Sequence, residues 1–217
     1  MNGRCYMAGA GEFSENVLPE DGDYIIAADA GYLSLMSRGI MPDLVVGDFD
    51  SLGEAPDHPN VLQSPIEKDD TDMMLAVKQG LERGCSLFTI NGGLGGRLDQ
   101  TLANIQILAY LAENEAFGTL LGIDTCIIAI KGGEVDLSVD TTKGKRISVF
   151  SHGGKAEGVT LKGLKYPLEN ATITDIYPIG VSNEFADENV VISVDSGTLI
   201  IMWETGKGEG IREKGAE

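Results

Sequence analysis

The chain has 217 residues, of which 42% are hydrophobic, enough for a substantial core in one large domain or two modest ones. Its 34 Asp and Glu against 16 Lys and Arg give a net charge of -18, which argues against nonspecific attraction to nucleic acid or anionic membranes. No apolar run reaches the length of a membrane span, and the amino terminus lacks a signal-peptide pattern. We therefore expect a cytoplasmic protein that binds neither nucleic acid nor membrane.

Cysteine and histidine usage restricts the chemistry. Cys5, Cys85 and Cys126 lie far apart, beside or within apolar runs, and none has a partner at metal-ligand spacing. We expect them to be buried packing residues in a reduced compartment. Because the chain has only two histidines, a zinc centre is disfavoured, and any metal should be bound by oxygen atoms.

In about the first 130 residues, short apolar runs alternate with stretches of helical period. Strands are predicted at residues 24–28, 44–46, 87–90 and 126–130. Two helical stripes are predicted to face the core, the first formed by Met73, Ala76, Val77 and Leu81 and the second by Leu98, Leu102, Ile105, Ala109 and Ala112. This alternation predicts a mainly parallel α/β sheet covered by helices.

After residue 132 the helical stripes disappear, and strand-like segments with Gly, Asn and Asp turns follow. Apolar residues alternate there with a period of two, as expected for strands buried on one face; they are Ile147 and Val149, then Val190, Ile192 and Val194, then Thr198, Ile200 and Met202. A small β-sandwich with Trp203 in its core is the natural packing. We therefore expect an α/β domain over residues 1–132 followed by a β-sandwich domain over residues 133–217.

The sequence GDFDS at residues 47–51 directly follows a predicted strand. Two carboxylates two residues apart, Asp48 and Asp50, point to the same side there and can both engage a divalent cation. Ligands of open α/β sheets bind outside the carboxyl ends of the strands, where these acids lie. The alternative is that the two aspartates only cap a turn or a helix, as aspartate often does.

Other segments carry similar residues. Asp29 follows the strand at residues 24–28, and the sequence KDDTD at residues 68–72 precedes the first helical stripe. Asp70 or Thr71 suits the helix N-cap and Asp72 its first turn. Capping does not account for all of these groups, because Lys68 suits a phosphate and Asp72 can bind a metal or accept a proton.

A glycine-rich segment at residues 91–99 runs from a predicted strand into the second helix. Its glycines, including Gly95 and Gly96, allow backbone N–H groups to approach an anion at the helix amino terminus. Arg97 offers a planar donor fork for phosphoryl oxygens, and Asp99 can orient a cation or a hydroxyl. The segment matches neither the Walker A pattern nor the dinucleotide fingerprint. With the acids, it indicates phosphoryl or pyrophosphoryl transfer assisted by magnesium.

Residues 180–184 separate two strand-like segments of the second half. By composition, Ser182 and Asn183 form a hairpin connection. They are also the one polar pair in this half that looks suited to ligand recognition.

Taken in order, the motifs DAG (29–31), GDFDS (47–51), KDDTD (68–72), GGRLD (95–99), KGLKYPL (162–168) and SN (182–183) closely resemble the thiamine pyrophosphokinase family. This resemblance spans almost the whole chain. It implies transfer of pyrophosphate from ATP to the hydroxyethyl group of thiamine, giving thiamine diphosphate and AMP. It also implies an α/β domain followed by a β-sandwich, and homodimers with active sites between subunits.

The resemblance also implies roles for individual residues. Magnesium and catalytic carboxylates would be Asp48, Asp50 and Asp72, with Arg97 and Asp99 completing the catalytic set. Residues that contact ATP would be Asp29, Gly31, Lys68, Thr71, Gly95, Gly96 and Arg97. Residues that contact thiamine would be Asp72, Gln100, Ser182 and Asn183.

Three positions depart from the family pattern. Ala30 replaces a glycine, Met74 stands where an acid often follows, and Gln100 replaces a common histidine. Gln100 cannot shuttle a proton near neutral pH, which leaves the general base open. Two alternatives stay open: a related pyrophosphokinase for another hydroxymethyl or hydroxyethyl heterocycle such as a pterin, and a nucleotide or thiamine sensor that has lost turnover through Met74 or Gln100.

Overall fold

The apolar runs of the first half form a parallel sheet in the computed structural model, which describes residues 3–50, 53–65, 69–137, 145–186 and 189–205. The strands within these ranges are β1 (Gly3–Ala8), β2 (Tyr24–Ala28), β3 (Leu44–Gly47), β4 (Val61–Gln63), β5 (Cys85–Asn91), β6 (Phe117–Leu121), β7 (Thr125–Asp136), β8 (Arg146–Lys162), β9 (Leu168–Thr174), β10 (Asn183–Glu184) and β11 (Val191–Glu204). The helices there are α1 (Gly31–Met36), α2 (Asp72–Glu82) and α3 (Leu98–Glu113). None of these helices is long and apolar enough to cross a membrane.

All eleven strands belong to one hydrogen-bonded sheet of the described chain, in the order β10-β8-β11-β7-β6-β5-β1-β2-β3-β4, with β9 beside β8. Neighbours from β4 to β6 run parallel, and every pair beyond β6 is antiparallel. Strands β2 and β5 flank β1 on opposite sides, so the strand order reverses at β1. In open α/β sheets, ligands bind at such a reversal, beyond the carboxyl ends of the strands.

Helix α2 packs as its stripe predicts. Met73, Ala76 and Val77 are buried against the sheet, and Leu81 is partly buried. The Thr71 hydroxyl accepts a hydrogen bond from the backbone N–H of Met74 at 3.1 Å, which stabilises the first turn.

The predicted core stripe of α3 is wrong over its first two turns. Leu98 and Leu102 are 81% and 57% exposed, whereas Asn104, Ile107, Leu108 and Leu111 are buried. The rest of the predicted stripe is confirmed: Ala109 is buried, and Ile105 and Ala112 are partly buried against the same core.

The second half is β-rich, as predicted, but its strands continue the sheet of the first half. Strands β7, β8 and β11 bend where glycines adopt positive φ, at residues 132–133, 153–154 and 197 respectively. Both arms of β8 pair with β11, and side chains from the two arms share one buried cluster that includes Trp203. The predicted one-sided burial is wrong near the end of β11: Leu199 and Ile201 are buried as fully as Ile200, because α3 covers one face and the bent strands cover the other.

The three cysteines are free and buried, as predicted. His58 is also buried, and its ring nitrogens lie 3.0 Å from the carbonyl oxygen of Asn60 and 2.9 Å from that of Pro42. This ring therefore supports the loop before β4.

Candidate active site

The predicted site motifs follow strands that end at one edge of the sheet. Ala8 of β1 lies opposite Ala27 of β2 and Asn91 of β5, and Ala28 lies opposite Val46 of β3. Because these strands are parallel and in step, the segments after them emerge side by side. The reversal of strand order therefore coincides with the acids and glycines identified in the sequence.

Three carboxylates gather at this edge. Asp29, Asp48 and Asp50 each offer an oxygen within 4.8 Å of those of the other two. Asp29 and Asp48 are half-buried and Asp50 is exposed, so the group opens to solvent on one side. The loop is shaped by the buried ring of Phe49, whose backbone has φ of 61°, and by a bond from the Asp50 N–H to Asp48 Oδ1 at 3.2 Å. Oxygen donors at this spacing suit a hard divalent cation.

Asp29 enters this group because of its backbone. Its φ of 48° is rare for a residue other than glycine, and its N–H donates to the Val46 carbonyl oxygen at 2.8 Å. The sequence predicted Asp29 as an ATP contact and Asp72 as the third metal ligand. Among the described residues the group contains Asp29 and not Asp72, and the metal role of Asp72 stays a prediction.

The start of α2 supports the capping interpretation of its acids and threonine. Thr71 is the N-cap, and Asp70 accepts a bond from Lys78 Nζ at 2.6 Å. Asp72 is half-buried in the first turn, where a negative charge is favourable. Lys68, predicted to contact phosphate, lies outside the described residues.

The glycine-rich segment after β5 lies against a second glycine loop, at residues 9–12. Three backbone bonds join them: Gly9 N–H to the Asn91 carbonyl and Gly11 N–H to that of Gly92, both 2.7 Å, and Glu12 N–H to that of Leu94, 2.8 Å. A Cβ atom at Gly11 would lie 2.2 Å from the Leu94 carbonyl oxygen, so only glycine permits this approach. Gly9 and Gly11 stand two residues apart in the sequence, a spacing too common to mark this loop as part of a site.

Arg97 ends the glycine segment and forms the N-cap position of α3. Its Nε and Nη2 donate to the two carboxylate oxygens of Asp99 at 3.1 and 2.6 Å, and both side chains are exposed. The hydrogen bonds from Arg97 lower the pKa of Asp99, and Asp99 raises the pKa of Arg97. The fork is thus held beside the helix amino terminus, where an anion is stabilised by free N–H groups. Gln100, also exposed, lies in the same turn.

Gly31, predicted as an ATP contact, has a packing role. It is buried, and a Cβ atom there would lie 2.0 Å from the carbonyl oxygen of Ala8. Glycine at this position therefore lets α1 approach β1, which fixes the position of Asp29 two residues earlier.

Two buried amides support this edge and were missed as site residues. Asn91 is fully buried at the end of β5, and Asn104 on α3 is 6% exposed, with its Nδ2 donating to the Gly93 carbonyl at 2.7 Å. A polar residue closing an apolar strand run was the only signal for Asn91.

The Ser-Asn pair of the second half divides into two roles. Asn183 is buried, its Oδ1 accepts from the N–H of Tyr166 and of Glu184, and its Nδ2 donates to the Tyr166 carbonyl at 2.7 Å. It therefore holds the segment after β8 in place. Ser182 is exposed with φ of 58°, and its contact with substrate stays a prediction, as does that of Asn183.

Comparison with known families matches both halves of the chain. The model of the thiamin pyrophosphokinase catalytic domain matches residues 16–117, and that of the thiamin pyrophosphokinase vitamin B1 binding domain matches residues 134–199. The chain is 33% identical over 186 residues to thiamine pyrophosphokinase of Bacillus subtilis, covering 83% of this chain and 86% of that protein. It is 26% identical over 190 residues to thiamin pyrophosphokinase 1 of Caenorhabditis elegans, covering 81% and 77%.

Solved structures of the same family have the same fold as this chain. The crystal structure of the Bacillus subtilis thiamine pyrophosphokinase superimposes with a TM-score of 0.83 at 29% identity, covering 94% of this chain and 99% of that one. A thiamin pyrophosphokinase family protein from Enterococcus faecalis gives 0.78 at 27% identity, covering 94% and 100%. Sequence and fold thus agree over nearly the whole chain, and the chain belongs to the thiamine pyrophosphokinase family.

Proposed function

We propose that this protein transfers the terminal pyrophosphoryl group of ATP to the hydroxyethyl group of thiamine, giving thiamine diphosphate and AMP. The observation that carries the proposal is the meeting of three carboxylates and a glycine-rich helix start with Arg97 at one sheet edge. Pyrophosphoryl transfer needs cations to neutralise the phosphates and carboxylates to hold those cations. Membership of the thiamine pyrophosphokinase family, matched over both halves of the chain, supports thiamine as the acceptor.

A magnesium ion would be held by Asp29, Asp48 and Asp50. The three oxygens lie within 4.8 Å of one another, and hard oxygen donors suit Mg²⁺, which keeps several waters. When bound, the ion would neutralise charge on the transferring phosphates. The carboxylates themselves orient the ion and make the edge unattractive to phosphate without it. Asp72 is proposed as a further ligand or as the group that accepts the proton of the thiamine hydroxyl.

The phosphates would lie along the glycine segment and the amino terminus of α3. Arg97 would bind phosphoryl oxygens in a bidentate way, exchanging its present partner Asp99 for the ligand. Gly95 and Gly96 have φ of 79° and 67°. A Cβ atom at Gly96 would meet nothing within 4 Å, so the backbone there is open to a ligand, whereas the Glu12 side chain lies against Gly95. Lys68 and Thr71 are further proposed phosphate contacts.

Thiamine would contact Asp72 and Gln100 from the α/β half and Ser182 with Asn183 from the β-rich half. We propose that these sets meet across a homodimer. Exposed apolar side chains support a subunit contact beside Ser182: Ile176 is 89% exposed, Tyr177 68%, Ile179 58% and Val181 48%. We also propose that the protein acts in the cytoplasm, where its three free thiols stay reduced.

The test is to incubate the protein with ATP and Mg²⁺ and with either thiamine or a hydroxymethyl pterin, and to identify the products by chromatography and mass spectrometry. The proposal expects thiamine diphosphate with an equal amount of AMP. A pyrophosphorylated pterin in its place would contradict the acceptor. Binding of thiamine without AMP would instead identify a sensor.

A further inference from the structure

The position of the glycine-rich segment, residues 92–96, depends on the chain that lies against it. Backbone bonds attach this segment to residues 9–12, and neither loop belongs to a helix or a regular strand ladder. A Cβ atom at Gly92 would lie 2.4 Å from the Gly9 carbonyl oxygen, so the two backbones are in direct contact. Contacts that hold one loop in place therefore also hold the other.

The Asn91 side chain joins the glycine-rich segment to Ser14, two residues after the loop at residues 9–12. Its Oδ1 accepts from the N–H of Ser14 at 2.8 Å and from that of Gly92 at 2.9 Å. Its Nδ2 donates to the Ser14 carbonyl at 2.8 Å and to Tyr6 Oη at 2.9 Å. The side chain thus uses both acceptor positions and both donor hydrogens.

This network lies entirely in the interior. Asn91 is 0%, Tyr6 1% and Ser14 4% exposed, and Tyr6 Oη donates in turn to the Val17 carbonyl at 3.0 Å. Burial raises the pKa of Tyr6 to about 12, so its hydroxyl keeps its proton. Residues 13–17 form no helix or strand, so these side chains supply the bonds that a ladder would otherwise give.

Asn104 holds the same segment from the helix side. Its Nδ2 donates to the Gly93 carbonyl at 2.7 Å, and a Cβ atom at Gly93 would already touch that nitrogen at 3.4 Å. The segment is therefore fixed between an amide of β5 and an amide of α3, immediately before Arg97.

We infer that Asn91 and Asn104 are positioning residues for the nucleotide: they hold residues 92–96 in the conformation that receives the phosphates, so that ATP does not have to order the loop on binding. This inference rests on the proposed function only for the reaction that the nucleotide undergoes. The expected effect on nucleotide binding does not depend on that reaction. A loop that is already ordered in the free protein binds ATP more tightly, because less conformational entropy is lost when the ligand binds.

The test measures Kd for α,β-methylene-ATP with Mg²⁺ by calorimetry, together with KM for ATP and for thiamine. The substitutions are N91L, which removes all the side-chain hydrogen bonds of Asn91, and N104A, which removes the bond to Gly93 and is the milder change if N91L does not fold. L111A is the matched control, because Leu111 is buried on the last turns of α3, away from the loop. Tm is recorded for every variant.

We expect Kd and KM for ATP to rise about tenfold or more in N91L and about threefold in N104A, with KM for thiamine at saturating ATP within about twofold of wild type. In L111A we expect a lowered Tm with unchanged Kd. The inference is overturned if N104A binds the analogue like wild type, or if L111A weakens binding as much as the amide variants. Wild-type protein that binds the analogue but forms no thiamine diphosphate would contradict only the proposed function, whereas a wild type that binds no analogue would overturn both.

Discussion

At the scale of single residues, the acids of the sheet edge differ in how the backbone holds them. Asp29 adopts a left-handed conformation that Asn tolerates and Ala does not, whereas Asp50 is exposed. Asp50 is therefore the acid whose charge can be removed with the least effect on folding.

For D50A we expect turnover to fall by about 10²-fold or more while Tm stays close to that of wild type, because one ligand of the charge-stabilising cation is lost. D57A is the matched control, since Asp57 is exposed and outside the acid group. Rates of AMP release measured over a range of Mg²⁺ concentrations check this. Wild-type rates at low Mg²⁺ would rule out a metal role for Asp50.

Arg97 depends on the geometry of its fork. For R97K we expect kcat/KM for ATP to fall by about 10²-fold, because an ammonium cannot donate two parallel bonds to a phosphoryl group. R83K is the control: the Arg83 guanidinium lies 4.2 Å from the centre of the Tyr24 ring, at the opposite end of α2 from the site. Steady-state kinetics measure kcat/KM for ATP in both variants. If R97K and R83K have equal kcat/KM values, Arg97 is a structural residue only.

The residue types of this site could be predicted from the sequence, but their arrangement in space could not. Asp48 and Asp50 are adjacent to one strand and therefore predictable as a pair. Inclusion of Asp29 in their group depends on a positive φ and on strand register, which no local pattern encodes. The roles of Gly31 and Asn91 could not be predicted for the same reason. Gly31 approaches the backbone of Ala8, and the Asn91 amide bonds to Ser14, so both roles depend on partners distant in sequence.

At the scale of elements, α1 shows how a short helix contributes to the site without touching a ligand. It begins two residues after Asp29 and packs on β1 through Gly31. We expect G31A to lower the free energy of unfolding by about 3 kcal/mol, because the added methyl group meets backbone that cannot move away.

L33A serves as the control on the same helix, since Leu33 is 56% exposed. Urea unfolding of both variants measures the difference. A G31A protein as stable as L33A would show that α1 is not tightly constrained by β1.

Strands with strong apolar runs were predictable, and β2 was predicted with its observed bounds. Strand β4 was not, because three residues at the sheet edge carry too little pattern. Strands β1 and β6 were also missed, because the Gly-Arg start of β1 and the Gly-Thr pair inside β6 leave only short apolar runs. The stripe of α3 failed at Leu98 and Leu102, because apolar residues at helical spacing do not reveal which turns of a helix have a partner to pack against.

At the scale of the whole molecule, one sheet connects the two functional halves. The antiparallel strands follow β6 directly, and bends at glycines turn them into a second layer. Residues proposed to contact thiamine in the β-rich half, Ser182 among them, therefore belong to a framework continuous with the phosphate edge.

The proposed homodimer gives a prediction at this scale. For I179D we expect a shift from twice the chain mass of 23.0 kDa toward the monomer, with a parallel loss of activity, because a charge would be buried at the contact. L18D is the control, since Leu18 is also exposed, at 44%, but belongs to another segment. Sedimentation velocity and activity at several concentrations measure both effects. A monomeric wild type with full activity would contradict the proposal.

Pyrophosphoryl transfer to thiamine breaks the bond between the β-phosphorus of ATP and the oxygen that bridges it to the α-phosphorus. A ³¹P NMR time course with ATP, Mg²⁺ and thiamine follows every phosphorus atom of substrate and product at once. We expect the three ATP signals to decline together while those of AMP and of a diphosphate ester grow in equal amounts. Growth of ADP with a thiamine monophosphate, or of free phosphate alone, would contradict it.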